Sequence, residues 1–138
     1  LVVGGSGEED LVSGIESEIE GNVINVVGKT TLRQMAALLK YCHLYVGNDT
    51  SPLHIAAAMG VPVVAIFGSS CHHRFGPWGD GQKVLFKQLQ CGPCSRMPHI
   101  DRCSQCIFDT PHCINGITVE EVKEAVAGQL KMRKKVEC

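Results

Sequence analysis

The sequence predicts an α/β domain: a Rossmann-like parallel sheet with helices on both faces. Three observations carry this expectation. Short runs rich in β-branched residues recur at residues 1–5, 22–27, 43–47 and 62–67. Between them lie stretches whose apolar residues repeat at helical spacing. Glycines and capping residues mark each change from one pattern to the other. Strands that alternate with helices in this way build βαβ units, whose sheet is covered on both sides.

The elements follow in order. Leu1-Val2-Val3 is an apolar run ending at Gly4-Gly5-Ser6-Gly7. Glu8, Glu9 and Asp10 come next, and acids suit the positive end of a helix dipole. Leu11, Ile15 and Ile19 recur at every fourth residue and predict one apolar helical stripe to about Glu20, stopped by Gly21-Asn22. A second strand is expected over residues 22–27. Thr31 and Gln34 have capping-box spacing, and Leu32, Met35, Ala36 and Leu39 share one helical face. A third strand over residues 43–47 leads to a helix with Ser51 as its N-cap and Pro52 at its first position, closed by Gly60. The fourth strand begins at Pro62, a position where proline is tolerated. A fifth is expected near residues 83–87. Thr118 and Glu121 form another capping box and open a last helix that ends around residues 131–135.

Composition sets the class. The chain has 138 residues, 44% apolar and 20% charged, with a formal net charge of −1. That is enough chain for one domain with a real core. No basic excess draws it to nucleic acid, and at 5% aromatic residues it lacks a base-stacking platform. No apolar run approaches the roughly 20 residues that span a bilayer. The chain opens in mid-strand without a methionine, so it reads as a fragment of a larger protein.

In a parallel sheet, ligands bind beyond the carboxyl ends of the strands. The most informative segment there is Gly47-Asn48-Asp49-Thr50-Ser51-Pro52-Leu53-His54. A strand end followed at once by a helix start points unpaired N–H groups and the positive dipole end outward, which attracts phosphate. Thr50 and Ser51 add hydroxyl donors, and His54, one turn in, adds an imidazole. The competing reading is a well-capped helix with His54 merely exposed. Gly28-Lys29-Thr30-Thr31 is not a P-loop, because Val23 holds the place of the required upstream glycine. Lys29 either reaches a phosphate or ribose, or is an exposed turn lysine. Gly4-Gly5-Ser6-Gly7 lacks the third glycine of a dinucleotide fingerprint. Glu8, Glu9 or Asp10 either accepts from ribose hydroxyls or serves the helix start. The loop containing Phe67-Gly68-Ser69-Ser70 and Arg74-Phe75-Gly76-Pro77-Trp78-Gly79 either lines the cleft or places Trp78 at the core edge.

Five of these segments, in order, resemble glycosyltransferase family 9, the lipopolysaccharide heptosyltransferases. They are Gly28-Lys29-Thr30-Thr31-Leu32, the run from Gly47 through His54 to Gly60, Phe67-Gly68, Gly76-Pro77-Trp78-Gly79 and Cys91-Gly92-Pro93-Cys94. The resemblance implies the C-terminal half of a GT-B fold, over residues 1–138, whose N-terminal acceptor domain lies outside this chain. It implies an inverting, cytoplasmic enzyme that transfers a sugar, typically heptose from an ADP-linked donor, to a lipid-linked lipopolysaccharide precursor. Thr50, Ser51 and His54 would meet the donor diphosphate, with Asp49 organising the turn. Thr30 and Lys29 would lie on the nucleoside side, and one of Glu8, Glu9 or Asp10 near the ribose. The base would come from the other half, with no cofactor required for catalysis. Two departures stand out: Ser51 replaces the family's usual glycine, and Ser69-Ser70-Cys71 replaces Pro-Thr-Asp. The alternative is a stand-alone nucleotide- or phosphosugar-binding module without transferase activity.

Of eight cysteines, five fall in a Cys-rich insertion at 91–113: Cys91, Cys94, Cys103, Cys106 and Cys113. Two CxxC knuckles suggest structural zinc, with His99 and His112 as competing ligands, while disulfides or free thiols remain the alternatives. Lys131, Arg133, Lys134 and Lys135 offset the dipole of the last helix, or meet anionic lipid at the membrane face.

Overall fold

A computed structural model describes residues 1–94 and 106–136, the last four of them by backbone alone. Nine elements follow one another: α1 (Glu9–Glu18), α2 (Leu32–Leu39), β1 (Tyr45–Asn48), α3 (Ser51–Ala58), β2 (Val63–Ile66), α4 (His72–Phe75), β3 (Lys83–Leu85), α5 (His112–Asn115) and α6 (Val119–Val136). The strands form a parallel sheet in the order β1-β2-β3, with Tyr45 opposite Val63 and Val64 opposite Lys83. All their carboxyl ends therefore lie along one edge.

The two earliest expected strands are present only as a pair of extended segments. They run parallel through a single bridge, Val2 to Asn25, with backbone bonds from Val2 N to the Ile24 carbonyl (2.8 Å) and from Val26 N to the Val2 carbonyl (3.0 Å). The pairing ends at Gly28 N, which donates to the Gly4 carbonyl at 3.2 Å, and the Asn25 side-chain oxygen accepts from Val27 N at 3.0 Å.

β2 is central and buried on both faces, with Val63, Val64 and Ala65 all at 0% exposure. Side chains alternate along a strand, so Val63, Ala65 and Phe67 share one face. There they join Met35 and Leu39 of α2 and Leu53, Ala56 and Ala57 of α3 in one apolar cluster. Val64 points to the other face, where α6 packs on β2 and β3. Gln129 of α6 is buried, and it satisfies its amide by donating to the Gly81 carbonyl at 2.6 Å.

The capping chemistry is largely as expected. Thr31 and Gln34 form a reciprocal box, Gln34 N to Thr31 Oγ1 at 3.3 Å and Thr31 N to Gln34 Oε1 at 2.9 Å. Thr118 and Glu121 repeat it at the start of α6. α3 ends in a Schellman motif, with Gly60 at φ +74° and Val61 N donating to the Ala56 carbonyl at 3.0 Å.

Three expectations are corrected. Val12 is the buried residue of α1, whereas Leu11, Ile15 and Ile19 are 67%, 46% and 44% exposed, because the helix lies with the Val12 side inward. Leu32 likewise faces out from α2. The N-cap of α3 is Thr50 and not Ser51: Thr50 is extended (φ −142°, ψ 169°) while its carbonyl already accepts from Leu53 N at 3.1 Å, so Ser51 and Pro52 take the first two helical positions.

Glu121 also pairs with Lys87 beyond β3 at 2.7 Å, which ties the sheet to the start of α6. The lysine hydrogen bond, then the Thr118 N–H, holds the Glu121 carboxyl below its ordinary 4.5. A depressed carboxylate stabilises the fold above its unfolded value and loses that contribution as pH falls through the folded one. Glu121→Gln is thus expected to lower the thermal midpoint at pH 7, and the deficit should shrink as the pH drops below 4.5, measured by circular dichroism across pH.

Candidate functional site

The site lies at the carboxyl edge of the sheet, where β1 passes to α3 through only Asp49 and Thr50. No side chain caps α3. The Thr50 hydroxyl donates instead to the Asn48 carbonyl, at a long 3.4 Å. Thr50, Ser51 and His54 are exposed, and Asp49 is half-buried. One turn into the helix, the His54 Nε2 lies 3.2 Å from Asp49 Oδ1. An uncapped helix start, two hydroxyls and an imidazole oriented by a carboxylate together offer donors and positive potential to an anion.

The acidic stretch from Glu8 into the first turn of α1 splits its carboxylates. Glu8 Oε2 accepts from Gly5 N at 2.7 Å, and Glu9 Oε2 accepts from Gly7 N at 2.6 Å. The other Glu9 oxygen faces Gly28, where an added methyl group would come within 2.6 Å of it. Glu9 therefore joins the first loop to the turn at Gly28, which has φ +67° and is bonded back to the Gly4 carbonyl at 3.2 Å. Glu8 does not share that position, since it turns toward Gly4 and Gly5.

Next to that turn is a groove of about 360 Å³ lined by Lys29, Thr30, Gln34, Ala37, Leu38 and Tyr41. The Thr30 hydroxyl is buried without a hydrogen-bond partner among the described residues. Lys29 Nζ folds back onto the Asn25 carbonyl at 3.2 Å. The groove thus offers an apolar wall and a cation at its rim, a combination suited to a planar polar ring.

Tyr45 joins these parts, and the sequence reading did not single it out. Its half-buried phenol lies across Gly47: a methyl on Gly47 would approach Oη to 2.5 Å and Cε1 to 2.8 Å. Burial pushes the phenol's pKa up, a hydrogen bond with the Thr50 side chain pulls it down, and the Glu8 charge pushes it up. The signal was present as Tyr-x-Gly at a strand end, since residues two apart share a face.

The loop after β2 is shaped by rings. His72 stacks on Phe86 at 3.7 Å, and desolvation, then His73, lowers its pKa. Trp78 does not close the core edge; it is 86% exposed, on a glycine turn at Gly79 that points it outward. The segment around α5 returns to the site edge, with Cys113 and Ile114 against Gly68. Among the described residues no three Cys, His, Asp or Glu side chains gather as metal ligands, and Cys71, Cys91, Cys106 and Cys113 carry free thiols. Cys103 and His99 lie outside the described residues.

Residues 1–104 match glycosyltransferase family 9 (heptosyltransferase). The chain belongs to this family. It is 28% identical over 131 residues to lipooligosaccharide heptosyltransferase 2 of Campylobacter jejuni subsp. jejuni serotype O:2, covering 92% of the chain and 39% of that protein. It is 32% identical over 80 residues to lipopolysaccharide heptosyltransferase 3 of Escherichia coli, covering 58% and 22%. Its fold is similar to that of the glycosyl transferase family 9 protein from Veillonella parvula DSM 2008, with a TM-score of 0.76, 26% identity, and coverage of 94% of this chain and 36% of that one. The family 9 chain described here thus spans well under half the length of these relatives.

Packing of the Tyr45 ring over Gly47 has a measurable consequence. Gly47→Ala is expected to cost about 1–3 kcal/mol in urea unfolding, the range for overpacking. A smaller residue at 45, as in Tyr45→Val, should relieve most of that penalty.

Proposed function

We propose that this chain is the donor-binding part of an inverting glycosyltransferase, forming the C-terminal half of a GT-B enzyme. The donor is an ADP-linked heptose or a close relative, and the acceptor a lipid-linked lipopolysaccharide precursor held by the other half. The observation that carries this reading is the uncapped start of α3, with Thr50, Ser51 and the His54–Asp49 pair around it. Donors fixed there stabilise negative charge as the nucleoside diphosphate departs. Ser51 lies at the first helical position, where its hydroxyl can add a donor in place of the close backbone approach that glycine permits.

The nucleoside side follows from the same edge. The base occupies the groove at Thr30, against Ala37, Leu38 and Tyr41, and Lys29 stands at its rim. Glu9, beside Gly28, is the acid placed to accept from the ribose hydroxyls, releasing the Gly7 N–H or sharing it. The proton of the attacking hydroxyl is removed by a base from the other half, so residues 1–138 bind the donor without turning it over. No helix among the described residues is long and apolar enough to cross a membrane. In this reading the lipid-linked acceptor is met at the cytoplasmic face, with peripheral contact at the membrane.

Calorimetric titration with ADP, UDP and GDP tests this reading. ADP is expected to bind saturably, and His54→Ala to weaken it by about 1 kcal/mol or more, the worth of a charge-assisted hydrogen bond. Preference for UDP or GDP would replace the ADP assignment, and absence of nucleotide binding at millimolar concentration would overturn the donor site.

The Cys-rich segment is a separate matter. We propose that Cys91, Cys94, Cys103, Cys106 and Cys113 supply ligands for a structural zinc, with no part in catalysis, on the strength of the two CxxC knuckles. About one zinc per chain is expected by mass spectrometry of protein purified under reducing conditions, consistent with a single tetrahedral site. Metal-free protein with five titratable thiols in this segment would contradict it.

A further inference from the structure

The last helix runs back along the sheet and past its amino edge. Near its start Glu121 pairs with Lys87, beyond the carboxyl end of β3, while Gln129 donates to the Gly81 carbonyl, before β3 begins. Among the described side chains of α6, Gln129 is the last buried one, yet the helix continues to Val136. Residues 130–136, about 10 Å of helix at about 1.5 Å per residue, thus stand beyond the amino edge, away from the candidate site.

Charge changes sign along the same helix. Residues 119–124 hold three acids and one cation, whereas residues 125–136 hold Lys131, Arg133, Lys134 and Lys135 and no acid. The chain as a whole has a net charge of −1, so this is a local gathering of cations. Offsetting the helix dipole accounts for charge in the last turn. It gives no role to the apolar groups among those cations: Leu130 and Met132 are 39% and 51% exposed.

The turn before β3 is tied to the same edge. The Gln82 side-chain oxygen accepts from Val63 N, at the start of β2, at 2.8 Å, and its amide donates to the Trp78 carbonyl at 3.4 Å. With Gly81 held by Gln129, the turn is bonded to both β2 and α6. It presents Trp78 with 86% of its surface exposed, and the neighbouring Lys83 is exposed as well. Asp80 is the acid of this turn.

We propose that the amino edge of the sheet, with Trp78, Met132 and the cations of the α6 end, is a docking face for an anionic lipid bilayer. An indole has an apolar body and one N–H, which suits the boundary between headgroups and acyl chains. Clustered lysines and arginines are drawn to the negative surface around it. A symmetric pair of copies joined by this face would set cation against cation. The inference gives a surface to the peripheral contact in the reading above and rests on that reading only for the membrane as the place of work. It needs no nucleotide, since the donor site lies on the opposite edge.

Trp78 is the only tryptophan in the chain, so its fluorescence reports on this edge alone. A blue shift is expected on adding vesicles of equimolar phosphatidylglycerol and phosphatidylcholine without nucleotide, and none with phosphatidylcholine alone. Lys131→Gln, Arg133→Gln, Lys134→Gln and Lys135→Gln combined should weaken vesicle binding at least about ten-fold, since each cation near an anionic surface contributes about five-fold. The thermal midpoint should be kept, as these positions lie beyond the buried part of α6. Trp78→Ala, followed by vesicle co-sedimentation, should weaken binding too. No binding to the anionic vesicles, binding with Trp78 emission unmoved, or binding undiminished in the four-fold variant would each overturn the proposal. So would a blue shift that grows with protein concentration without lipid, which would assign the face to a second copy. ADP binding without vesicle binding sinks this inference alone, and vesicle binding without ADP binding sinks the donor site alone.

Discussion

The central strand of the sheet must be buried on both faces, and the rest of the arrangement depends on that constraint. Val63, Val64 and Ala65 have no contact with solvent, so α2 and α3 cover one side and α6 the other. Parallel neighbours need a crossover, and α3 is the one between β1 and β2, whereas α2 precedes β1 and α6 follows β3. The same geometry collects every strand's carboxyl end on one edge. The candidate site is thus a by-product of how β2 is hidden: β1 ends there, α3 starts there, and Gly68 after β2 meets Cys113 and Ile114 there.

What happens at that edge is decided by short-range chemistry. Only two residues separate β1 from α3, which leaves no room for a loop to cover the helix start. Thr50, extended and bonded backward to Asn48, declines the capping role its type allows. The Asp49 carboxylate lies against His54 instead of the helix amides. Each local choice leaves donor capacity open toward solvent, where water holds it until an anion takes its place. Thr30 buries a hydroxyl without a partner among the described residues, a second incomplete feature.

Much of this was legible in the sequence. The capping boxes at Thr31 and Thr118 and the glycine stop at Gly60 rest on fixed local offsets, and these survive into the fold. Asp49, Thr50, Ser51 and His54 were likewise visible, because a strand-to-helix switch fixes where they point. Less legible were features set by tertiary packing. The every-fourth-residue pattern of Leu11, Ile15 and Ile19 marks a helix face without saying which neighbour it meets, and Val12 is the residue that turned inward. Which of the acids faces Gly28 is set across the loop, by a contact between Glu9 and a residue nearly 20 positions away in sequence. Tyr45 was missed because an aromatic in a strand reads as core until its hydroxyl is placed. The cysteines at 91–113 carry a spacing signal whose middle residues lie outside the described structure.

Amide chemical-shift mapping by NMR with ADP tests most directly the claim that this edge is the nucleotide site. The largest shifts are predicted at Thr50, Ser51 and Leu53, where α3 opens, and at Gly28, Lys29 and Thr30 beside the groove. Shifts confined to the separate groove lined by Leu89, Gln90, Cys91, Ile107, Phe108 and His112, with the start of α3 unmoved, would contradict it.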